Sequence, residues 1–131
     1  MGLHTWFYKN KFLYKEREQL YIKIDKHDNG DIHLDYLELN YLHNRCSDID
    51  DLIETDYHDL FRTNKREVDG QYTNDVIYSK EQCDKWILEN EVDFSHTIFD
   101  TPEQIEKLKE FSLIQLNKFW EEYPHGCIDF G

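Results

Sequence analysis

Three times along this chain a helix-capping residue stands three positions ahead of a Glu or Gln and opens an apolar stripe at helical spacing: Asp35 with Glu38, Ser79 with Gln82, and Thr101 with Gln104. The side-chain oxygen of such a cap accepts from the backbone N–H three residues on. The Glu or Gln reaches back to the cap's own N–H, so two otherwise orphaned donors are satisfied within one turn. Each pair sets where a helix begins and so the phase of the side chains that follow. The clearest case predicts a helix from Asp35 to about Glu54. Leu39, Leu42, Cys46, Ile49 and Ile53 step by 3, 4, 3 and 4 residues and form one apolar stripe. Leu34, just ahead of the cap, is placed to pack on Leu39 as a hydrophobic staple. Asp48, Asp50, Asp51 and Glu54 fall off the stripe and are expected to face water.

The remaining elements follow from the same logic. Leu3 to Tyr8 reads as one short strand, with Leu3, Thr5 and Phe7 facing one way and His4, Trp6 and Tyr8 the other. Lys11 to about Lys26 reads as a helix whose inner face is Leu13, Leu20, Tyr21 and Ile24. Asp28-Asn29-Gly30 ends it, Gly30 being able to take the left-handed conformation of a helix exit. A short connection predicts that these first two helices pack antiparallel. Tyr57 to Arg62 is expected to be extended, and Asn64 to Asp75 a polar loop holding the turn dipeptide Asp69-Gly70. Val76-Ile77-Tyr78 reads as a strand. The helix opened by Ser79 runs to about Asn90 with Cys83, Trp86 and Ile87 inward. The helix opened by Thr101 has Pro102 at its first position. It carries Ile105, Leu108, Phe111 or Ser112, Leu116, Phe119 and Tyr123, and stops before Pro124. Cys127 to Phe130 closes the chain as a strand that is expected to pair with the first one.

The expected fold is therefore α+β, about four helices with a small sheet of two to four strands, in a single domain over residues 1–131. The three cysteines, Cys46, Cys83 and Cys127, are odd in number and widely spaced, so no disulfide framework follows and a reducing cytoplasm is the expected compartment. The first residues, MGLHTWFYKNKF, lack the basic and apolar regions of a signal peptide. Trp6 stands where a myristoylation signal needs Ser or Thr, and no stretch approaches a membrane span.

Charge narrows the choice of partners. The chain carries 28 acidic against 15 basic residues, a net of −13. Between Asp25 and Asp59 there are eleven carboxylates against Lys26 and Arg45, a local balance of −9, whereas the first 24 residues stand at +3. Such a field repels nucleic acid and anionic membrane and attracts basic proteins. Carboxylates spaced like DNA phosphates, mixed with aromatic anchors, suit a basic groove built for nucleic acid. The candidate partner-binding residues are Asp48, Asp50, Asp51, Glu54, Asp56 and Asp59, with Tyr57 and Phe61 as anchors.

Three other constellations compete less well. Asp25 to Tyr36 resembles a calcium loop of the EF-hand type, with Gly30 at the sixth position and Asp25, Asn29, Asp31 and Ile32 matching in kind. Its third position is His27 and its twelfth, where a bidentate Glu belongs, is Tyr36, so a polar helix-to-helix turn is the preferred reading. His43 with Cys46 and His125 with Cys127, joined by Cys83 or His58, have the chemistry of a zinc site but not its tight spacing. Three buried thiols are preferred, and chelation is expected to leave the melting temperature unchanged. His58-Asp59 and His96 are the candidates for acid-base work. The catalytic fingerprints of hydrolases, metalloproteases and nucleotide-binding enzymes are absent from the sequence, so no enzyme, metal or cofactor is expected.

Four segments, Met1-Gly2-Leu3-His4, Tyr57-His58-Asp59-Leu60-Phe61-Arg62, Ser79-Lys80-Glu81-Gln82-Cys83 and Phe119-Trp120-Glu121-Glu122-Tyr123-Pro124-His125-Gly126, give the chain a resemblance to small proteins encoded by bacteriophages and prophages. The Lys, Asn, Ile and Tyr usage, like that of an AT-rich genome, suits the same origin. The resemblance implies a size class and an origin in the bacterial host's cytoplasm, and assigns no site. By analogy with acidic anti-CRISPR and anti-restriction proteins, the expected function is an inhibitor that binds a basic, nucleic-acid-handling host protein, in the manner of a DNA mimic. An oligomerising scaffold whose acidity serves solubility, and a metal-binding sensor or enzyme, are the alternatives.

Overall fold

The computed structural model describes residues 2–3, 5–57, 62–64, 67–68, 71–72, 75–89, 92–94 and 99–130. In chain order these form β1 (Gly2–Leu3), β2 (Trp6–Tyr8), α1 (Lys11–Asp28), α2 (Tyr36–Ile53), β3 (Arg62–Asn64) and β4 (Glu67–Val68). They continue with β5 (Gln71–Tyr72), β6 (Asp75–Ile77), α3 (Lys80–Glu89), β7 (Val92–Asp93), α4 (Pro102–Glu122) and β8 (Cys127–Phe130). The class is α+β, with antiparallel strand pairing throughout the described residues.

The organising element is the sheet β2-β8-β6, in which the last strand of the chain lies between the other two. Phe7 pairs with Ile128, and Ile128 with Ile77, so one row of large apolar side chains crosses the sheet. Strand alternation then divides the residues between two faces. Phe7, Ile77, Ile128 and Phe130 pack with Cys83 of α3 and Leu116, Phe119 and Trp120 of α4. Tyr8, Val76, Tyr78 and Cys127 pack with Tyr14 of α1 and Ile49 and Ile53 of α2. The sheet is thus covered on both sides. A third cluster, Ile24, Leu34, Leu42 and Cys46, holds the far end of the α1–α2 pair. Both the Arg17–Asp50 contact near one end and the Ile24–Leu42 packing near the other require these helices to run antiparallel.

The helix ends obey local chemistry. Asn10 caps α1 by accepting from the N–H groups of Phe12 and Leu13. At its other end Gly30 takes φ +82°, with Gly30 N–H donating to the His27 carbonyl and Asp31 N–H to that of Lys26. Those two bonds are the Schellman pattern, in which a left-handed residue closes the last turn. Asp35 Oδ1 accepts from Glu38 N–H at 2.8 Å, and Leu34 and Leu39 share the third cluster as the staple requires. Thr101 and Gln104 form the complete capping box. At α3 the box is modified: Ser79 Oγ accepts from Gln82 N–H, but Gln82 Oε1 reaches back to the N–H of Tyr78.

Three expectations need correction and one open choice is decided. The strand foreseen from Leu3 to Tyr8 is divided between two sheets, because β1 pairs with β3 and β2 with β8. Alternation along the chain carries no information about which distant strand supplies the partner. The foreseen polar loop from Asn64 to Asp75 contains the β4–β5 hairpin, whose strands flank Asp69-Gly70 in the sequence. On α4 the open choice between Phe111 and Ser112 falls to Ser112, which is buried while Phe111 is exposed, and Trp120 joins the buried face. On α1 the buried residues are Tyr14 and Ile24, with Leu13 and Leu20 half-buried and Tyr21 exposed. The stripe runs Tyr14, Arg17, Tyr21, Ile24, and its second position is a cation. Tyr57 is described, but positions 58–61, most of the segment expected to be extended, lie outside the described residues.

Candidate functional site

The outer edge of β2 is where the acidic end of α2 meets the sheet. Lys9 N–H donates to the Ile53 carbonyl at 2.9 Å, Tyr8 bridges to Glu54, and Thr55 Oγ1 donates to the Phe7 carbonyl at 2.9 Å. An edge strand with open backbone groups invites pairing with another chain, and these contacts cover it. They also place Glu54 and Thr55 beside Trp6 and Tyr8.

Between these elements lies a cleft of about 390 Å³. Its walls are Trp6, Phe7, Tyr8 and Tyr57, its floor is Arg17 and Asp50, and Asp51, Glu54 and Thr55 complete the lining. Arg17 projects from α1 with its side chain 12% exposed and donates from Nη1 to Asp50 Oδ1 at 2.7 Å. Its guanidinium carbon lies 4.9 Å from the ring centre of Tyr8 and 5.0 Å from that of Tyr14. Burial pulls the arginine's pKa down, but its hydrogen bonds to Asp50 and Tyr8 and the negative charge of Asp50 outweigh that, so the net shift is upward. Arg17 is therefore a fixed charge held between aromatic rings. Behind it, Tyr14 Oη donates to Asp129 Oδ2 at 3.3 Å, while Asp129 Oδ1 is buried without a donor among the described residues. Burial raises the Asp129 carboxyl above the ordinary range, and the Tyr14 hydrogen bond only partly offsets this.

Tyr57 links the cleft to a second helix end. Its hydroxyl donates to Glu122 Oε2 at 2.9 Å, and its ring packs edge-on against Phe119 and Tyr123. Burial first, then the Glu122 hydrogen bond, push the Tyr57 phenol up to about 12. Asp56 acts electrostatically on Tyr123 in the same place. The C-terminal ends of α2 and α4 therefore converge on Tyr57, and neither has a basic residue in its last turn. Each helix C-terminus carries about −0.5 of a charge from its aligned peptides. The carboxylates there add to that field, an arrangement unfavourable to the helices themselves.

Four of the expected binding residues, Asp50, Asp51, Glu54 and Tyr57, are brought together in the cleft lining. Asp48 and Asp56 are exposed nearby in the chain, and Asp59 and Phe61 lie outside the described residues. Asp50 differs from expectation. It is half-buried and spent on Arg17, so it does not simply face water. Sequence reasoning missed Arg17, Trp6, Tyr8 and Glu122. The legible signal for Arg17 was its place between Tyr14, Tyr21 and Ile24 at helical spacing.

The other constellations resolve more simply. Asp25 lies in the last turn of α1, and His27, which would have been the third calcium ligand, accepts from the Leu34 N–H through Nδ1 at 3.0 Å. Cys46, Cys83 and Cys127 are buried free thiols. Among the described residues no group of three or more His, Cys, Asp and Glu is placed to hold a metal ion. His58 and His96 lie outside the described residues. No helix among the described residues is long and apolar enough to cross a membrane.

Comparison of the chain with protein-family models, with curated proteins and with solved structures found no match.

Proposed function

We propose that this chain is a non-enzymatic binding protein of phage type that docks onto a basic, nucleic-acid-handling host protein, such as a CRISPR effector or restriction enzyme, and occupies its nucleic-acid site. One observation carries the reading: two helix C-termini and the carboxylates Asp51, Glu54, Asp56 and Glu122 are gathered around Tyr57 without a neutralising cation in either last turn. Helices are more stable with cations at that end, each worth about 0.3–1 kcal/mol at the surface. An arrangement that works against the helices is accounted for if a partner supplies the missing positive charge. Charge of this kind speeds encounter, while exposed aromatics such as Tyr36 and Tyr41 supply area that slows release.

The test is capture of the host partner at low and moderate salt, its identification, and competition by duplex DNA. Attraction should weaken as the Debye length shortens to about 8 Å at physiological salt. The combined variant Asp51→Asn, Glu54→Gln, Asp56→Asn should lower the association rate far more than it changes dissociation. Asp50 is left intact because Arg17 depends on it. A partner whose affinity ignores salt, DNA and the triple variant removes this reading.

A second reading, self-association, has its own observation. Tyr36 and Leu37 begin α2 with 80% and 76% exposure, and Tyr41 follows one turn on. Large apolar side chains exposed close together on one helix are a common interface feature. Sedimentation of the native chain and of Leu37→Glu separates the two readings, since a concentration-dependent dimer lost in the variant supports the scaffold.

A further inference from the structure

The cleft beside β2 differs from the acidic surface around it in having walls. Trp6 stands 55% exposed at its mouth, and strand alternation puts its indole on the same side of the sheet as Tyr8. The floor pair, Arg17 and Asp50, neutralise one another at 2.7 Å. Among the described residues, what remains in the lining is the negative charge of Asp51 and Glu54. An anionic ligand would meet these two carboxylates and an arginine already engaged. A cation would meet an indole face and two carboxylates. Its volume, about 390 Å³, is enough for one long side chain.

We infer that this cleft is a receptor for a single arginine side chain of the partner, stacked on Trp6 and paired with Glu54 or Asp51. This rests on the reading of the chain as a binder of basic proteins and names the contact that orients it. Arginine is favoured over lysine for two reasons. Its planar guanidinium stacks on an aromatic face, and its fork of N–H donors matches a carboxylate in two parallel hydrogen bonds. Tryptophan is the strongest aromatic partner for such a cation. Arg17 already shows the preference inside this protein, with its own guanidinium between Tyr8 and Tyr14 and on Asp50. The incoming residue would repeat that arrangement one layer further out.

The probe is a set of short peptides of equal length carrying one central Arg, Lys or Glu, titrated into the labelled full chain. The indole N–H resonance of Trp6 is followed by NMR. The Arg peptide should shift it saturably, the Lys peptide should bind several-fold more weakly, and the Glu peptide should leave it unmoved. In the variants the titration is followed by the backbone amide shifts of Tyr8 and residue 54, and Trp6→Ala and, separately, Glu54→Gln should each weaken the Arg peptide about tenfold. Unchanged circular dichroism in both variants excludes misfolding as the cause, and Trp6→Phe, which keeps an aromatic face, should restore part of the loss. Arg and Lys peptides that bind alike, or shifts spread over the acidic surface without saturation at Trp6, overturn the inference. The two readings fail separately. A salt-dependent basic partner indifferent to Trp6→Ala removes the arginine receptor and keeps the acidic docking surface. An Arg peptide seated at Trp6 in a chain that captures no nucleic-acid-handling protein does the reverse.

Discussion

Arg17 Nη1 lies 2.7 Å from Asp50 Oδ1, and the two side chains are 12% and 45% exposed. One partner of this pair is nearly withdrawn from water and the other is at the surface, so the two are not equivalent. Among the described residues, removing the aspartate leaves the buried guanidinium with only the partly exposed Glu18 carboxylate, 3.6 Å from Nη2, to balance its charge. Fully buried pairs broken in this way cost about 3–5 kcal/mol. Solvent access to Asp50 discounts that toward roughly 1–2 kcal/mol here. Asp50→Asn should therefore lower stability by about that amount in urea unfolding, while Asp51→Asn stays within roughly 0.5 kcal/mol. Equal effects from the two substitutions would show that Arg17 does not depend on Asp50.

Asp129 sets a pH dependence with a definite sign. Burial raises its folded pKa above the ordinary 3.8. The folded state therefore binds the proton more tightly than the unfolded chain does. Stability from this group is fully present below the unfolded pKa and is lost as pH rises through the folded value. Arg17 and Glu18 of α1 act on the same carboxylate in opposite directions. Asp129→Asn removes the titration, so its melting temperature should gain on the native chain as pH is raised from about 4 to 7. Parallel melting curves across that range would falsify the assignment.

Leu42 tests the apolar stripe of α2. It is buried between Ile24, Leu34 and Cys46. Leu42→Asp places an unpaired carboxylate there, at a cost of several kcal/mol against a typical domain stability of about 5–15 kcal/mol. The variant should lose its cooperative thermal transition. Retention of the native circular dichroism and melting temperature would remove the stripe from the core.

Gly126 is required by close approach. A Cβ at this position would lie 2.6 Å from the Tyr8 carbonyl oxygen and 2.9 Å from the Phe119 ring. Backbone cannot give way as a flexible side chain can. Gly126→Ala should destabilise by roughly 1–3 kcal/mol, as overpacking does, and should disturb the β2–β8 pairing. Gly30→Ala should also be unfavourable, but through its φ of +82°, since nothing crowds that position. Chemical-shift changes near Tyr8 in the first variant and confined to the α1–α2 turn in the second distinguish the causes.

The buried thiols and phenols predict alkaline behaviour. Burial pushes Cys83 up to about 11 and Cys127 to about 12, and raises Tyr8, Tyr14 and Tyr78 as well. In the unfolded chain these groups ionise first, near 9 for the thiols and 10 for the phenols. Stability from them is therefore present below pH 9 and falls as pH rises through that range. A thiol reagent at pH 8 should react slowly with the folded chain and with three thiols in denaturant. Rapid reaction of Cys83 or Cys127 in the folded state counts against their burial.

What the chain declared by itself was local. Asp35, Ser79 and Thr101 marked the starts of α2, α3 and α4, because a cap and the N–H groups it serves lie within one turn. Gly30 marked the end of α1 for the same reason, and the stripe from Leu39 to Ile53 fixed which side of α2 is inward. Tertiary structure decided whatever depends on residues far apart. It split the first strand between β3 and β8, and required glycine at position 126 where Tyr8 and Phe119 close in. It put a cation into the apolar stripe of α1, because Asp50 and Tyr8 from elsewhere in the fold join Tyr14 and Tyr21 of the same helix in making that position habitable for Arg17. It also divided the acidic run by role. Asp50 holds Arg17, Asp51 and Glu54 line a cleft with Trp6, and Glu122, from the other end of the chain, joins them at Tyr57. Identical carboxylates acquire different work from their surroundings. Burial and charge pairing are sums over neighbours in space, which spacing along the chain does not contain.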